Sequence, residues 1–260
     1  MFSYRCDHRR GSPGGPGYTR PQMALRFPTC WPLVCALLPF SACASALLDR
    51  LLEQAPDVPP QVLTLALEAR DCAAEIGAAP PTSRLAVVDY SRPSTERRLW
   101  LFDLPTQRLL HAEYVAHGRG SGENLAHAFS NVEGSHQSSL GLFLTDDTYT
   151  GGNGYSLRLD GLEPGTNDQA RDRLIVMHGA SYVDPVQALR QGRLGSSFGC
   201  PALRPVVARA VIDDLKNHQL LFAYYPDPVW LARSPYLGCS RRLTQQATPR
   251  DAEATRPVGS

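Results

Sequence analysis

The sequence predicts a mainly β domain preceded by a short helical segment. From Arg84 onward, short runs rich in Val, Leu, Trp and Tyr alternate with turn residues such as Pro93-Ser94 and Pro105-Thr106. The residues before Arg84 instead repeat apolar side chains at helical intervals. With 260 residues, of which 43% are hydrophobic and 20% charged, the chain can bury a core without depending on disulfide bonds.

The N-terminal residues 23–46 have the pattern of a secretory signal peptide. A short charged start at Met23 is followed by the apolar run Trp31–Phe40 and by small residues with an Ala-x-Ala-like end. The apolar run is too short to span a bilayer. Residues 1–22 are rich in Gly, Pro and Arg. This composition predicts either a disordered extension or a segment upstream of a true start of translation at Met23. We therefore expect an exported protein of the periplasm or cell envelope.

Two routes of processing are open at the end of this segment. Cleavage after Ala44 or Ala46 would release a soluble protein. Alternatively, Phe40-Ser41-Ala42-Cys43 is similar to a bacterial lipobox, in which Cys43 would be acylated and would anchor the protein to a membrane.

The helical segment covers residues 47–81. It contains two stretches with apolar side chains at helical spacing, Leu47–Gln54 and Gln61–Ile76. Prolines separate the two stretches and end the segment at Pro80-Pro81, because proline cannot continue a helix.

A predicted β domain follows over residues 82–235, and its strands are short. The predicted strands are Leu85–Asp89, Arg98–Asp103, Arg108–Ala116, Leu140–Thr145, Tyr155–Leu159, Leu174–Met177 and Gln219–Tyr225. Helices are predicted over Asn167–Arg173, over Pro185–Gln191 and after Leu203, where apolar residues again recur at helical intervals. Residues 236–260 are expected to form a disordered tail, which is polar from Ser240 onward.

The cysteines also favour export. Four of the seven lie in the part expected to be removed or lipidated, which leaves Cys72, Cys200 and Cys239. In an oxidising compartment an odd number leaves one thiol unpaired. Because Cys72 and Cys239 flank the predicted β domain, we expect them to form a disulfide bond and Cys200 to be free.

The net charge and the spacing of the histidines argue against two kinds of site, a nucleic-acid-binding surface and a metal centre. The net charge of +1 gives no support for a nucleic-acid binder held by phosphate contacts. His117, His127 and His136 lie near one loop, but their spacing matches no compact metal-binding motif. We therefore expect no metal and no cofactor.

His178 and Cys200 form the candidate catalytic pair. His178 ends a predicted buried strand, and Cys200 follows 22 residues later in a Gly/Ser turn. A cysteine nucleophile needs a base or cation beside it and backbone N–H groups aimed at the developing oxyanion. Gly199 allows the tight backbone that such N–H groups require. Taken singly, each residue also fits a structural role. Cys200 could be a small buried apolar side chain, and His178 could be a hydrogen-bonded residue at the end of a strand.

The stretch Leu140–Lys216 resembles the catalytic domain of the murein L,D-transpeptidases, the YkuD-type family. The motifs that carry the resemblance are His178-Gly179, Ser197-Phe198-Gly199-Cys200, Ser139–Phe143 and Gly154–Leu159. The resemblance covers residues 82–226 and implies a curved mixed β-sandwich with a helix after the catalytic cysteine.

The resemblance also implies a reaction on peptidoglycan. Cys200 would attack the carbonyl between the third and fourth residues of a stem tetrapeptide and form a thioester. His178 would act as the base, oriented by the carbonyl of Gly179, while the N–H groups of Gly199 and Cys200 would form the oxyanion hole. The same chemistry implies acylation by carbapenems.

Three outcomes of this chemistry stay open. The thioester can pass to an amine of a second stem, which is transpeptidation, or to water, which makes the protein an L,D-carboxypeptidase. The third reading is a peptidoglycan-binding protein that keeps the fold without turnover.

Two positions depart from the family pattern. Phe198 stands where the family has a second motif His, and Ala202 stands where it has an Arg, so Arg204 is a candidate substitute. Tyr155 is a strand aromatic that would line the cleft or belong to the core. The candidate substrate-binding residues are Ser196, Ser197, Phe198, Tyr155 and Arg204.

Overall fold

The computed structural model describes residues 40–239. The helices in this range are α1 (Phe40–Gln54), α2 (Pro60–Glu75), α3 (Pro185–Gln191), α4 (Pro205–Leu215) and α5 (Pro228–Arg233). The strands in the same range are β1 (Arg84–Asp89), β2 (Leu99–Asp103), β3 (Arg108–Glu113), β4 (Val115–Ala116), β5 (Gly141–Gly151), β6 (Gly154–Gly161), β7 (Val176–Gly179), β8 (Ala202–Leu203) and β9 (Leu220–Tyr224).

These strands form one continuous mixed sheet. Its order is β3-β2-β1-β9-β5-β6-β7-β8-β4. Most neighbours are antiparallel, but β1 runs parallel to β9, and β7 runs parallel to β8. The mainly β class, the mixed strand directions and the helix after Cys200 are therefore confirmed.

The parallel pair β7–β8 positions the candidate catalytic residues. Its register places His178 opposite Ala202 and Gly179 opposite Leu203. Adjacent strands lie about 4.8 Å apart. Cys200, two residues before Ala202, is thereby held next to the strand that ends in His178.

The helical segment shares one core with the sheet. Leu63 and Ala66 of α2 are fully buried and belong to the same apolar cluster as Val87 and Phe222 of the central strands. The predicted helices are therefore present, and the apolar face of residues 47–81 packs into the core of the β domain.

A disulfide bond joins α2 to Cys239, the last residue that the structure describes. Cys72 in α2 is bonded to Cys239, with the Cα atoms 5.8 Å apart, and Cys200 has a free thiol. The expected pairing is therefore present in the structure.

The folded unit extends past the predicted boundary at residue 235. Tyr236 and Leu237 are buried, and the Tyr236 hydroxyl donates to the carbonyl oxygen of Leu162 at 3.0 Å. The expectation of disorder is wrong for residues 236–239, because the disulfide and this packing hold them. The rest of the predicted tail, from Ser240 onward, lies outside the described residues, as do residues 1–39.

Local structure differs from the prediction around residues 167–175. Asn167–Arg173 forms turns and not a helix, since the Asn167 side chain donates to the carbonyl oxygens of Leu140 and Leu142. β7 begins at Val176, two residues later than predicted. Leu174 adopts a left-handed backbone with φ of 56° and is 77% exposed, so it precedes the buried strand.

No helix in the described range 40–239 combines the length and the apolar character needed to cross a membrane. The predicted signal segment, residues 23–46, overlaps this range only in the first turns of α1.

The disulfide is expected to contribute strongly to stability. It closes a loop with a sequence separation of 167 residues, and cross-linking a long loop reduces the entropy of the unfolded chain. Replacing both Cys72 and Cys239 by Ser should lower the free energy of unfolding by about 3–5 kcal/mol. Urea unfolding of the oxidised protein measures this change, with Cys200→Ala as the control that keeps the disulfide. A double variant as stable as the wild type would contradict the prediction.

Candidate active site

A pocket of about 440 Å³ opens beside the end of β7. Five of the predicted site residues line it, namely Cys200, His178, Ser196, Ser197 and Phe198. The parallel register of β7 and β8 explains why Cys200 and His178, 22 residues apart in the sequence, line the same pocket. The predicted pair therefore shares one pocket.

Cys200 lines this pocket and is buried, with 7% of the residue exposed. The backbone N–H of Val176 donates to Sγ at 3.5 Å, and the thiol donates to the carbonyl oxygen of Leu174 at 3.7 Å. Burial raises the pKa of the thiol, while the Val176 N–H and the positive charge of Arg173 oppose this effect. In the resting site the thiol is consequently favoured over the thiolate.

His178 is buried and oriented by its neighbour. Its Nδ1 lies 3.1 Å from the carbonyl oxygen of Gly179, so the predicted hydrogen bond is present. With the proton on Nδ1, the lone pair of Nε2 is left to accept another proton. Burial lowers the pKa of His178, and the bond to Gly179 only partly offsets this. The imidazole is therefore neutral at pH 7 and suited to act as a base.

A hydrogen-bonded turn fixes the backbone in front of the nucleophile. The Ser197 hydroxyl accepts from the N–H of Gly199 at 3.1 Å and donates to the carbonyl oxygen of Cys200 at 2.7 Å. Gly199 has φ of +127°, and a Cβ there would lie 2.7 Å from Ile175 Cδ1 and 2.8 Å from the carbonyl oxygen of Gln137. Only glycine fits this position.

The predicted role of Gly199 in the oxyanion hole is not supported by this geometry. Its N–H is already bonded to Ser197 inside the turn and does not point to a substrate. The N–H of Cys200 remains from the predicted pair, and it lowers the pKa of its own thiol. The Ser197 hydroxyl accepts the hydrogen bond that the Gly199 N–H would otherwise offer to a substrate. The spacing of the motif residues in the sequence does not predict this bond.

Phe198 forms an exposed rim of the pocket. Its ring is 63% exposed and stacks on the imidazole of His136 at 4.6 Å between centroids. The guanidinium of Arg119 lies 4.5 Å from the same ring centroid. At the position of the family's second histidine, this site therefore has the aromatic ring of Phe198, with the cation of Arg119 packed against it.

Two predicted substrate-binding residues lie elsewhere. The Tyr155 hydroxyl donates to Asp213 Oδ1 at 2.6 Å, and its ring packs under Arg209, so it contacts α4 and does not line the pocket. Arg204 donates to both carboxylate oxygens of Glu113, at 2.9 and 2.7 Å. This bidentate pair occupies its guanidinium, so Arg204 does not replace the family's Arg.

The sequence analysis did not identify four other residues that line the pocket, namely Asn153, Arg173, Leu174 and Tyr182. Arg173 is the notable omission, because it brings a positive charge to the pocket. It lies in the segment predicted as a helix, and no motif distinguishes it from the neighbouring Arg171.

The histidines near the loop do not form a metal site. Within residues 40–239 no three His, Cys, Asp or Glu side chains cluster in a way that could hold a metal ion. His117 instead contacts the buried Arg98 at 2.7 Å. Burial, with the charge of Arg98 adding to it, lowers the pKa of His117 to about 4.

This geometry suits acyl transfer. A buried cysteine and a neutral imidazole line the same pocket, and a cation lies at its wall. Such a pair can transfer the thiol proton to the imidazole as the sulfur attacks a carbonyl carbon.

The model of the L,D-transpeptidase catalytic domain family matches residues 54–224. This chain belongs to that family. The match begins at the end of α1 and includes both His178 and Cys200. Among curated proteins, none matches the chain.

Solved structures of L,D-transpeptidases are similar to this chain at low identity. The chain is 12% identical to the L,D-transpeptidase of Mycobacterium smegmatis, covering 55% of its own length and 59% of that protein, with a TM-score of 0.34. An L,D-transpeptidase in complex with imipenem gives 13% identity, 55% and 59% coverage and a TM-score of 0.33. The helical cell shape determining protein Pgp2 of Campylobacter jejuni gives 13% identity, 62% and 56% coverage and a TM-score of 0.37. The chain thus spans about three-fifths of the length of the mycobacterial enzyme.

The turn before Cys200 yields a test with a matched control. Ser197→Ala removes the hydroxyl that satisfies two buried backbone groups, so it should lower the free energy of unfolding by about 1–3 kcal/mol. Ser196→Ala changes the neighbouring serine, which lines the pocket outside this hydrogen-bonded pair, and should change stability by less than about 0.5 kcal/mol. Urea unfolding measures both, and equal effects of the two substitutions would refute the assignment.

Proposed function

We propose that this protein is a cysteine L,D-transpeptidase that forms a thioester between Cys200 and peptidoglycan stem peptides. The observation that carries the proposal is the placement of His178 and Cys200 in one buried pocket of a domain from this family. A peptidoglycan-related role follows from the family, and the donor and the intermediate are our inference. The retention of both residues favours turnover over a purely binding role.

In the first step the stem tetrapeptide acylates the enzyme. Nε2 of His178 takes the proton of the Cys200 thiol as Sγ attacks the carbonyl carbon of the third stem residue. In this proposal the N–H of Cys200 donates to the oxyanion. The bond to the nitrogen of the terminal D-alanine then breaks, and the leaving amine takes the proton back from His178. The products are a thioester on Cys200 and free D-alanine.

In the second step an amine of another stem attacks the thioester. His178 takes a proton from that amine, a new amide bond forms, and Cys200 leaves as the thiol after receiving the proton. If water attacks instead, the product is a tripeptide with a free carboxylate, and the protein is an L,D-carboxypeptidase.

We further propose that the protein acts outside the cytoplasm, in the periplasm or cell envelope. The signal-like residues 23–46 support this location, and so does the Cys72–Cys239 disulfide, since such bonds persist in oxidising compartments. Cleavage after Ala44 or Ala46 is the proposed route, with acylation of Cys43 as its alternative. The mass of the mature N-terminal peptide distinguishes the two.

A product assay tests the proposed reaction. The purified protein is incubated with disaccharide-tetrapeptide muropeptides, and the products are followed by mass spectrometry. We expect cross-linked dimers with the wild type and none with Cys200→Ala. Tripeptide and free D-alanine without dimers would show a carboxypeptidase instead. Wild-type protein that binds sacculi but forms no Cys200-dependent product would support the binding role and contradict the proposal.

Carbapenem acylation tests the state of His178. We expect imipenem to add its mass to the wild type and not to Cys200→Ala, at a rate that depends on neutral His178. Because burial lowers the pKa of His178, the imidazole stays unprotonated to lower pH than an exposed one would. The acid limb of the acylation rate should therefore fall below about pH 6.5, the ordinary histidine value. An acid limb at or above that pH would contradict this assignment.

A further inference from the structure

Arg173 occupies the wall of the pocket that contains Cys200. It lies in the turn before β7, and its Nη2 is 3.6 Å from the position a Cβ would take on Gly199, the residue before the nucleophile. The guanidinium is therefore close to the backbone that carries the thiol.

The hydrogen-bond partners of Arg173 are all neutral. Nη1 donates to the carbonyl oxygen of Ser130 and to Ser139 Oγ, both at 2.6 Å. Nη2 donates to the carbonyl oxygen of Gln137 at 2.7 Å and to Ser135 Oγ at 3.2 Å. Within residues 40–239, no carboxylate forms an ion pair with it. The positive charge is thus held firmly in place without being neutralised.

Arg171, two residues earlier, shows the opposite arrangement. Its guanidinium forms ion pairs with Asp146 and Asp160 at the protein surface. The same turn therefore contains one neutralised arginine and one arginine whose charge is available to the pocket.

The bonding of Arg173 also limits what it can do there. Each terminal nitrogen makes two hydrogen bonds, so the segment Ser130–Ser139 uses all four terminal N–H groups of the guanidinium. The residue cannot present its fork to a substrate carboxylate without leaving these partners. Its influence on the pocket is therefore electrostatic.

Another cation near the pocket is Arg119, which packs on the Phe198 ring at the rim and bonds to His136. Apart from Arg173, the groups that interact electrostatically with the Cys200 thiol are neutral near pH 7. Tyr90 and Tyr182 have pKa values raised to about 12, chiefly by burial, and so remain protonated. Burial lowers the pKa of His178, which keeps it uncharged. Among the described groups that act on the thiol, Arg173 is the cation, and its charge lowers the pKa of Cys200.

We propose that Arg173 is a positioning residue that supplies the counter-charge for the Cys200 thiolate, and that the segment Ser130–Ser139 holds it in that position. The inference rests on the proposed role of Cys200 as the nucleophile. As the thiol loses its proton to His178, negative charge develops on Sγ in a buried site, where a fixed cation stabilises it strongly.

The pH dependence of Cys200 alkylation tests this proposal without any peptidoglycan. The full chain is treated with iodoacetamide, and modification of the peptide containing Cys200 is followed by mass spectrometry, with Cys200→Ala as the blank. Arg173→Gln and Arg173→Met both remove the charge. The Met variant keeps a long apolar side chain and is used if the Gln variant does not fold. Arg173→Lys keeps the charge, and Arg171→Gln is the matched control for losing a positive charge from the same turn.

We expect the alkylation midpoint to rise by about one pH unit in the Gln and Met variants, because the thiolate loses its counter-charge. At a pH below both midpoints this corresponds to about tenfold slower alkylation. The midpoints of Arg173→Lys and of Arg171→Gln should both stay close to that of the wild type.

An unchanged midpoint in the charge-free variants would overturn the proposal. A midpoint in Arg173→Lys that rises as far as in Arg173→Gln would also overturn it, since shape and not charge would then matter. If no cell-wall product forms, the midpoints still decide the role of Arg173.

Discussion

The parallel pairing of β7 with β8 is the constraint on which the site depends. It sets His178 opposite Ala202 and so brings the turn that ends in Cys200 alongside the end of β7. β8 is only two residues long, and α4 begins two residues after its last residue, so the turn is fixed on both sides. A slip of one residue in this register would move the His178 side chain to the opposite face of the sheet. The catalytic geometry is therefore a property of strand pairing.

Burial then determines the chemistry of the pair. It raises the pKa of the Cys200 thiol and lowers that of the His178 imidazole, so both groups are neutral before reaction. A neutral pair must transfer a proton during attack, and the resulting charges on two buried side chains need stabilisation. Arg173 meets this need for the sulfur, because its guanidinium is held by neutral partners and keeps its charge. The segment Ser130–Ser139 thus links a surface loop to the reactivity of the nucleophile.

Much of the fold and the two central residues could be predicted from the sequence, since they depend on local patterns. The strand and helix periods identify most elements, and the motifs around His178 and Cys200 identify the family. The errors concern hydrogen bonds that only the folded chain reveals. Tyr155 and Arg204 are occupied by Asp213 and Glu113, and the N–H of Gly199 is taken by Ser197. Arg173 was missed for the same reason, because only the folded loop shows which of two nearby arginines lacks a carboxylate.

Detection of the thioester tests whether Cys200 is acylated by a stem peptide. The protein is mixed with disaccharide-tetrapeptide, quenched in acid and digested, and the peptide containing Cys200 is analysed by mass spectrometry. We expect a tripeptidyl adduct on Cys200 that hydroxylamine removes, with one free D-alanine released for each adduct. Wild-type protein that carries no adduct after rapid quenching, or an adduct that persists in Cys200→Ala, would contradict it.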